Sequence, residues 1–160
     1  MKKVNHKLIE KLRVMVGEVL TPDLLRPDWR AKAATEHHTY GHCYVAAEAL
    51  FHLIGGWESE FVPRYVKYFD ESDNMVCTHW WLYSSRRNMI YDPTKEQYLH
   101  ANLDPPYHNK KTSFFLTKTP SKRAVIVMDR VKERFNSNDL AKIVETFKVE
   151  EPVFDKFFIV

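Results

Sequence analysis

The stretch Tyr40-Gly41-His42-Cys43-Tyr44-Val45-Ala46-Ala47-Glu48-Ala49-Leu50 decides how this chain is read. From Cys43 onward strong helix formers dominate, and Cys43, Ala47, Leu50, Phe51 and Ile54 fall on one face at helical spacing. Gly41 before this run and Gly55-Gly56 after it supply a flexible entry and a left-handed exit. The spacing predicts a buried central helix with Cys43 in its first turn. There the positive end of the helix dipole and the unpaired amides favour a thiolate, and the Cys43 amide is a ready oxyanion donor.

Downstream, residues 61–68, 76–83 and 88–91 are rich in aromatic and β-branched side chains, and the breaks at 70–74 and 84–87 have turn composition. This predicts an antiparallel meander. Alternation along the second strand puts His79 on the side of Cys77 and Trp81, opposite Thr78, Trp80 and Leu82. Asp92 ends the third strand thirteen residues later, so antiparallel pairing brings it beside the histidine's strand. A thiol at a helix start, an imidazole on a strand and a carboxylate on the next are the parts of an acyl-transfer site: Cys43 as nucleophile, His79 as base and Asp92 as orienting group.

Gly41-His42-Cys43 opening a helix, the extended His79-Trp80 strand and Tyr91-Asp92-Pro93-Thr94 resemble the Cys, His and Asp motifs of the transglutaminase-like superfamily of papain-like folds. The resemblance spans residues 40–98 and implies an α+β fold with the nucleophile helix packed on an antiparallel β-sheet, flanked by further helices. It also implies cysteine-dependent hydrolysis or acyl transfer, as in transglutaminases, bacterial peptidases and amidases, peptide N-glycanases and the similarly ordered arylamine N-acetyltransferases. Motifs of that superfamily often carry a tryptophan beside the cysteine, whereas this chain has His42 and Tyr44 there. The second oxyanion donor is therefore unassigned, with His38, Tyr40, His42, Trp29 and Gln97 as candidates and Trp81 as a further groove residue.

The rest of the chain frames that centre. Leu8, Ile9, Leu12, Val16 and Leu20 predict an amphipathic first helix. Residues 21–39 read as a turn, a short helix and a loop, and 99–111 as an irregular loop around Pro105-Pro106. Residues 113–116 read as a short strand or part of a lid. A helix starting near Pro120-Ser121 carries Ala124, Val127, Met128 and Val131 inward, and another covers 138–147. The apolar tail from Phe154 to Val160 reads as a final packed strand.

A length of 160 residues fits one domain, with 40–98 as its catalytic core and 1–39 and 99–160 as flanks. The balance of 24 basic and 21 acidic residues, scattered along the chain, gives no reason to expect nucleic acid. No run is long enough to cross a bilayer, and two cysteines without CxxC spacing read as free thiols in a cytoplasmic protein. The absence of a calcium-loop pattern favours a hydrolase over a metal-dependent cross-linker. The expected partner is a peptide, protein or small amide substrate, with no cofactor and no metal. The competing reading takes His37, His38, His42, Cys43, Cys77 and His79 as zinc-ligand types in a binding module. A redox link between Cys43 and Cys77 is a minor alternative.

Overall fold

Helix α1 (His6–Glu18) begins where the Asn5 side chain accepts from the Leu8 amide, a cap that satisfies one of the orphan donors of the first turn. The computed structural model describes residues 1–69, 71–73, 75–108 and 110–151. A 3₁₀ turn (Pro22–Leu24) and α2 (Pro27–Ala33), each opened by proline, lead to α3 (Cys43–Leu53). Gly41, at φ 81°, and Gly55, at φ 117°, take left-handed backbone at the two ends of α3, as the sequence predicts. A Cβ on Gly41 would lie 3.3 Å from both Leu25 and Trp29, so glycine there also permits the close approach of the 21–39 segment.

Four antiparallel strands follow in the order β3-β2-β1-β4: β1 (Val62–Phe69), β2 (Met75–Ser84), β3 (Met89–Tyr91) and β4 (Lys111–Thr112). Their register sets Val66 opposite His79, Tyr65 opposite Trp80 and Leu82 opposite Tyr91. The two sides of β2 enter different surroundings. Trp80 and Leu82 join the main core, where Trp80 meets the edge of Tyr44 from α3. His79 and Trp81 stack on each other, 5.7 Å between ring centroids, with Tyr98 against the imidazole and Tyr107 against the indole.

Helix α3 is buried on nearly all sides, between α1, α5 and the sheet. It is therefore more central than one apolar stripe would require. The buried Glu48 carboxylate accepts from the Ser121 amide at 2.9 Å and hydroxyl at 2.7 Å, and Ser121 in turn caps α5 (Lys122–Arg134) by accepting from Ala124. One serine thus satisfies a buried charge and starts a helix. Ala124, Val127 and Val131 face inward as expected, while Pro120 precedes the cap instead of occupying the first helical turn. Helix α6 (Ser137–Phe147) opens on the Asn136 cap.

The structure corrects the 99–116 region. A short helix α4 (Glu96–His100) precedes the loop, and the strand is Lys111–Thr112, paired to β1, with residues 113–116 irregular. Phe115 inserts into the core while Leu116 stands 92% exposed, an alternation made by an irregular chain crossing the core's edge. The expected strand at Phe154–Val160 lies outside the described residues. The described chain is thus mixed α+β, six helices with one four-stranded antiparallel sheet. Among the described residues no helix is long and apolar enough to cross a membrane.

Candidate active site

Cys43, His79 and Asp92 come together where the start of α3 meets β2 and the end of β3. The imidazole is 1% exposed, and its Nε2–H donates to Asp92 Oδ2 at 2.7 Å. Asp92 directly follows β3, and three further bonds hold its carboxylate. Oδ1 accepts from the Thr94 amide at 3.0 Å and hydroxyl at 3.4 Å, and Oδ2 accepts from Tyr107 at 2.8 Å. Arg13 of α1, only 4% exposed, donates to the Asp92 carbonyl at 3.2 Å while paired with Glu10 and Glu96. The turn after β3 is thereby tied to α1 and α4.

With Nε2 committed to Asp92, Nδ1 is the free ring nitrogen, buried and without a directed hydrogen bond among the described residues. Burial disfavours a charged imidazole, but the Asp92 carboxylate outweighs it by charge and hydrogen bond. Cys43 adds short-range and charge contributions, and the ring is pushed up to about 10. Cys43 is thus the neighbour on the side of the ring that Asp92 leaves open. Its Sγ donates to the Thr78 carbonyl at 3.3 Å, so transfer of the thiol proton to Nδ1 breaks only this one bond. The His42 side chain does not cap α3, which keeps that role from competing for the amides of the helix's first turn.

Cys43 opens onto a cleft of about 930 Å³ lined by the 21–45 segment, by Tyr68, Cys77 and Thr78 of the sheet, and by residues 97–106. Of the oxyanion-donor candidates, Trp29, Tyr40 and Gln97 line it. Gln97 spends its amide on the Thr94 carbonyl and hydroxyl, at 3.1 and 3.2 Å. The other three candidates are elsewhere. His38 donates to the Gly17 carbonyl at 2.9 Å and meets the His37 ring at a tilt. His42 is buried behind the helix start, bonded to the Thr21 carbonyl at 2.9 Å, and burial pushes it below the ordinary imidazole value. Trp81 is fully buried and serves as the platform of His79, where the sequence reading puts it in the groove.

Both cysteines are free thiols, and Cys77 lines the same cleft, its thiol pushed up by burial and by the charge of Cys43. The zinc-ligand types do not converge: among the described residues no three His, Cys, Asp or Glu side chains are placed to hold a metal ion. Sequence reasoning missed Arg13 and Tyr107. Arg13 occupies a polar position on an amphipathic helix, and Tyr107 lies in an irregular loop. Neither pattern carries a signal of contact with Asp92. Comparison with family models, with curated proteins and with solved structures finds no match.

Proposed function

We propose that the protein is a cysteine-dependent hydrolase of amide bonds, built on a papain-like, transglutaminase-like arrangement, in which Cys43 forms an acyl-enzyme assisted by His79 and Asp92. The observation that carries this reading is the buried His79–Asp92 bond, which leaves Nδ1 as the free nitrogen in a ring neighboured by Cys43. His42 and His52 each leave one buried ring nitrogen open as well; what sets His79 apart is that a carboxylate holds its other nitrogen and a thiol neighbours the ring, which fits Nδ1 to accept and return a proton.

The Cys43 thiol gives its proton to Nδ1 before the substrate reacts, in keeping with an imidazole held protonated beside Asp92, and the thiolate sulfur then attacks the substrate carbonyl, forming a carbon–sulfur bond and an oxyanion beside the first-turn amide of α3. Collapse breaks the carbon–nitrogen bond while Nδ1–H protonates the leaving amine. Water, deprotonated by Nδ1, then attacks the thioester, releasing the carboxylic acid and restoring the thiol. The Asp92 carboxylate remains ionised and stabilises the imidazolium at each stage.

The cleft supports a peptide or protein segment as substrate. Two leucines on its rim, Leu116 at 92% and Leu103 at 59% exposure, present apolar surface beside aromatic walls. The test is alkylation of Cys43 by iodoacetamide at neutral pH, compared between the wild type and His79→Ala. Rapid labelling in the wild type that falls roughly tenfold or more in the variant is expected, while equal, slow labelling in both sinks the reading.

A further inference from the structure

The Asp92 carboxylate serves two donors through one oxygen. Oδ2 accepts from His79 Nε2 at 2.7 Å and from the Tyr107 hydroxyl at 2.8 Å. Tyr107 also packs its ring against Trp81, 5.1 Å between centroids, and Trp81 is the platform of the imidazole. A single loop residue therefore touches the pair twice, once through the carboxylate and once through the ring beneath the histidine.

The loop behind Tyr107 has a second task. It leaves α4 through Asn102, at φ 57°, and the Leu103 amide returns to the Tyr98 carbonyl at 2.9 Å. Leu103, Asp104 and Pro106 line the Cys43 cleft, whereas Pro105 and Tyr107 line a recess on the Asp92 side. From Asp104 to Tyr107 successive residues line opposite sides, so this segment is the partition between substrate cleft and carboxylate. The two prolines limit the freedom of the backbone between its cleft face and its carboxylate face.

We propose that Tyr107 is a positioning residue of the triad, a loop-borne hydroxyl that shares the Asp92 carboxylate with His79 and so sets how strongly that carboxylate holds the imidazole. The proposal rests on the Cys43–His79–Asp92 reading. Two donors on one oxygen compete for its charge; withdrawing the phenol leaves more of it for the imidazolium, and strengthening the phenol leaves less. The other titratable groups facing the imidazole are Cys43 from α3 and Tyr98 from α4, and those facing the Tyr107 hydroxyl are Arg13 and Glu96. None of them is altered by the test.

The experiment follows the downfield Nε2–H proton and the ring nitrogens of His79 by NMR as pH is raised. Tyr107→Phe keeps the ring and should raise the His79 midpoint by about half a unit to one unit, the scale of one net hydrogen bond. 3-Fluorotyrosine at position 107 keeps ring and hydroxyl, covers the case in which the Phe variant does not fold, and should move the midpoint down because its phenol is the stronger donor. A midpoint that stays put in both proteins, or moves the same way in both, overturns the proposal. Alkylation of Cys43 is measured alongside. Rapid alkylation with an unmoved midpoint leaves the thiol–imidazole reading standing without Tyr107. A moved midpoint with a thiol no faster than in His79→Ala makes His79–Asp92 a structural pair and overturns both.

Discussion

Two buried charged clusters sit on the same hairpin, and they differ in one respect that bears on the reactivity proposed for the second. At the turn between β2 and β3, Arg87 Nε donates to Glu60 at 2.7 Å, and the same carboxylate accepts from Ser84. The remaining guanidinium nitrogens reach the carbonyls of Lys2, at 2.8 Å, and Thr146, at 3.2 Å. Each nitrogen of the guanidinium has a partner. At the other end of β3, Asp92 is as fully bonded as Glu60, but its partner His79 keeps one nitrogen open. His42 and His52 also keep a buried ring nitrogen open, but only His79 combines that with a carboxylate on the other nitrogen and a thiol as neighbour.

The largest test of this contrast removes the closed cluster. Glu60→Gln leaves the Arg87 charge buried without its counter-ion and is expected to cost about 3–5 kcal/mol of stability. The loss is read from the urea midpoint, while the rate of Cys43 alkylation in the folded variant stays that of the wild type. A large drop in alkylation would mean that the two clusters are coupled and the contrast false.

A smaller effect with a defined sign comes from pH. The folded-state value of His79 is raised above that of the unfolded chain, to about 10. The proton on this ring therefore stabilises the fold fully below about pH 6.5, and that contribution is lost progressively as pH rises through about 10. Asp92→Asn removes the charge that holds the proton. The gap in urea midpoint between wild type and variant should be widest near about pH 6 and narrow toward about pH 10. A gap that is constant or widens with pH would show that the pair does not retain the imidazole proton.

The two clusters also mark where sequence reading succeeds. Gly41 and Gly55-Gly56 bracket α3 because left-handed backbone admits few other residues, and turn composition at 70–74 and 84–87 yields the hairpins. His79 and Asp92 were legible because the contact between them is set by strand order and register, which the meander makes local. Arg13 and Tyr107 were not. Arg13 is buried by partners 79 and 83 residues away, at Asp92 and Glu96, and a helical period cannot tell such a position from one facing solvent. Tyr107 lies in an aperiodic loop, and two-residue β4 is too short for alternation to register. His42 illustrates the opposite error: beside Cys43 it invites a chemical role, yet its neighbours are the Thr21 carbonyl and the interior.

The finest distinction lies within the Asp92 carboxylate. Its Oδ1 receives two donors from Thr94, an amide at 3.0 Å and a hydroxyl at 3.4 Å, and neither touches the imidazole's oxygen. Removing the hydroxyl with Thr94→Val keeps the stronger amide bond and the shape of the turn, although the Gln97 amide loses one of its two acceptors. The expected cost is about 1 kcal/mol or less, because the bond that is lost is long and its acceptor remains satisfied. Cys43 alkylation and the His79 titration should both stay where they are in the wild type. If Thr94→Val moves that titration as far as Tyr107→Phe does, the two carboxylate oxygens are equivalent to the imidazole and sharing of Oδ2 has no special meaning. If only the Oδ2 side moves it, the open nitrogen of His79 is governed from the loop that walls the cleft.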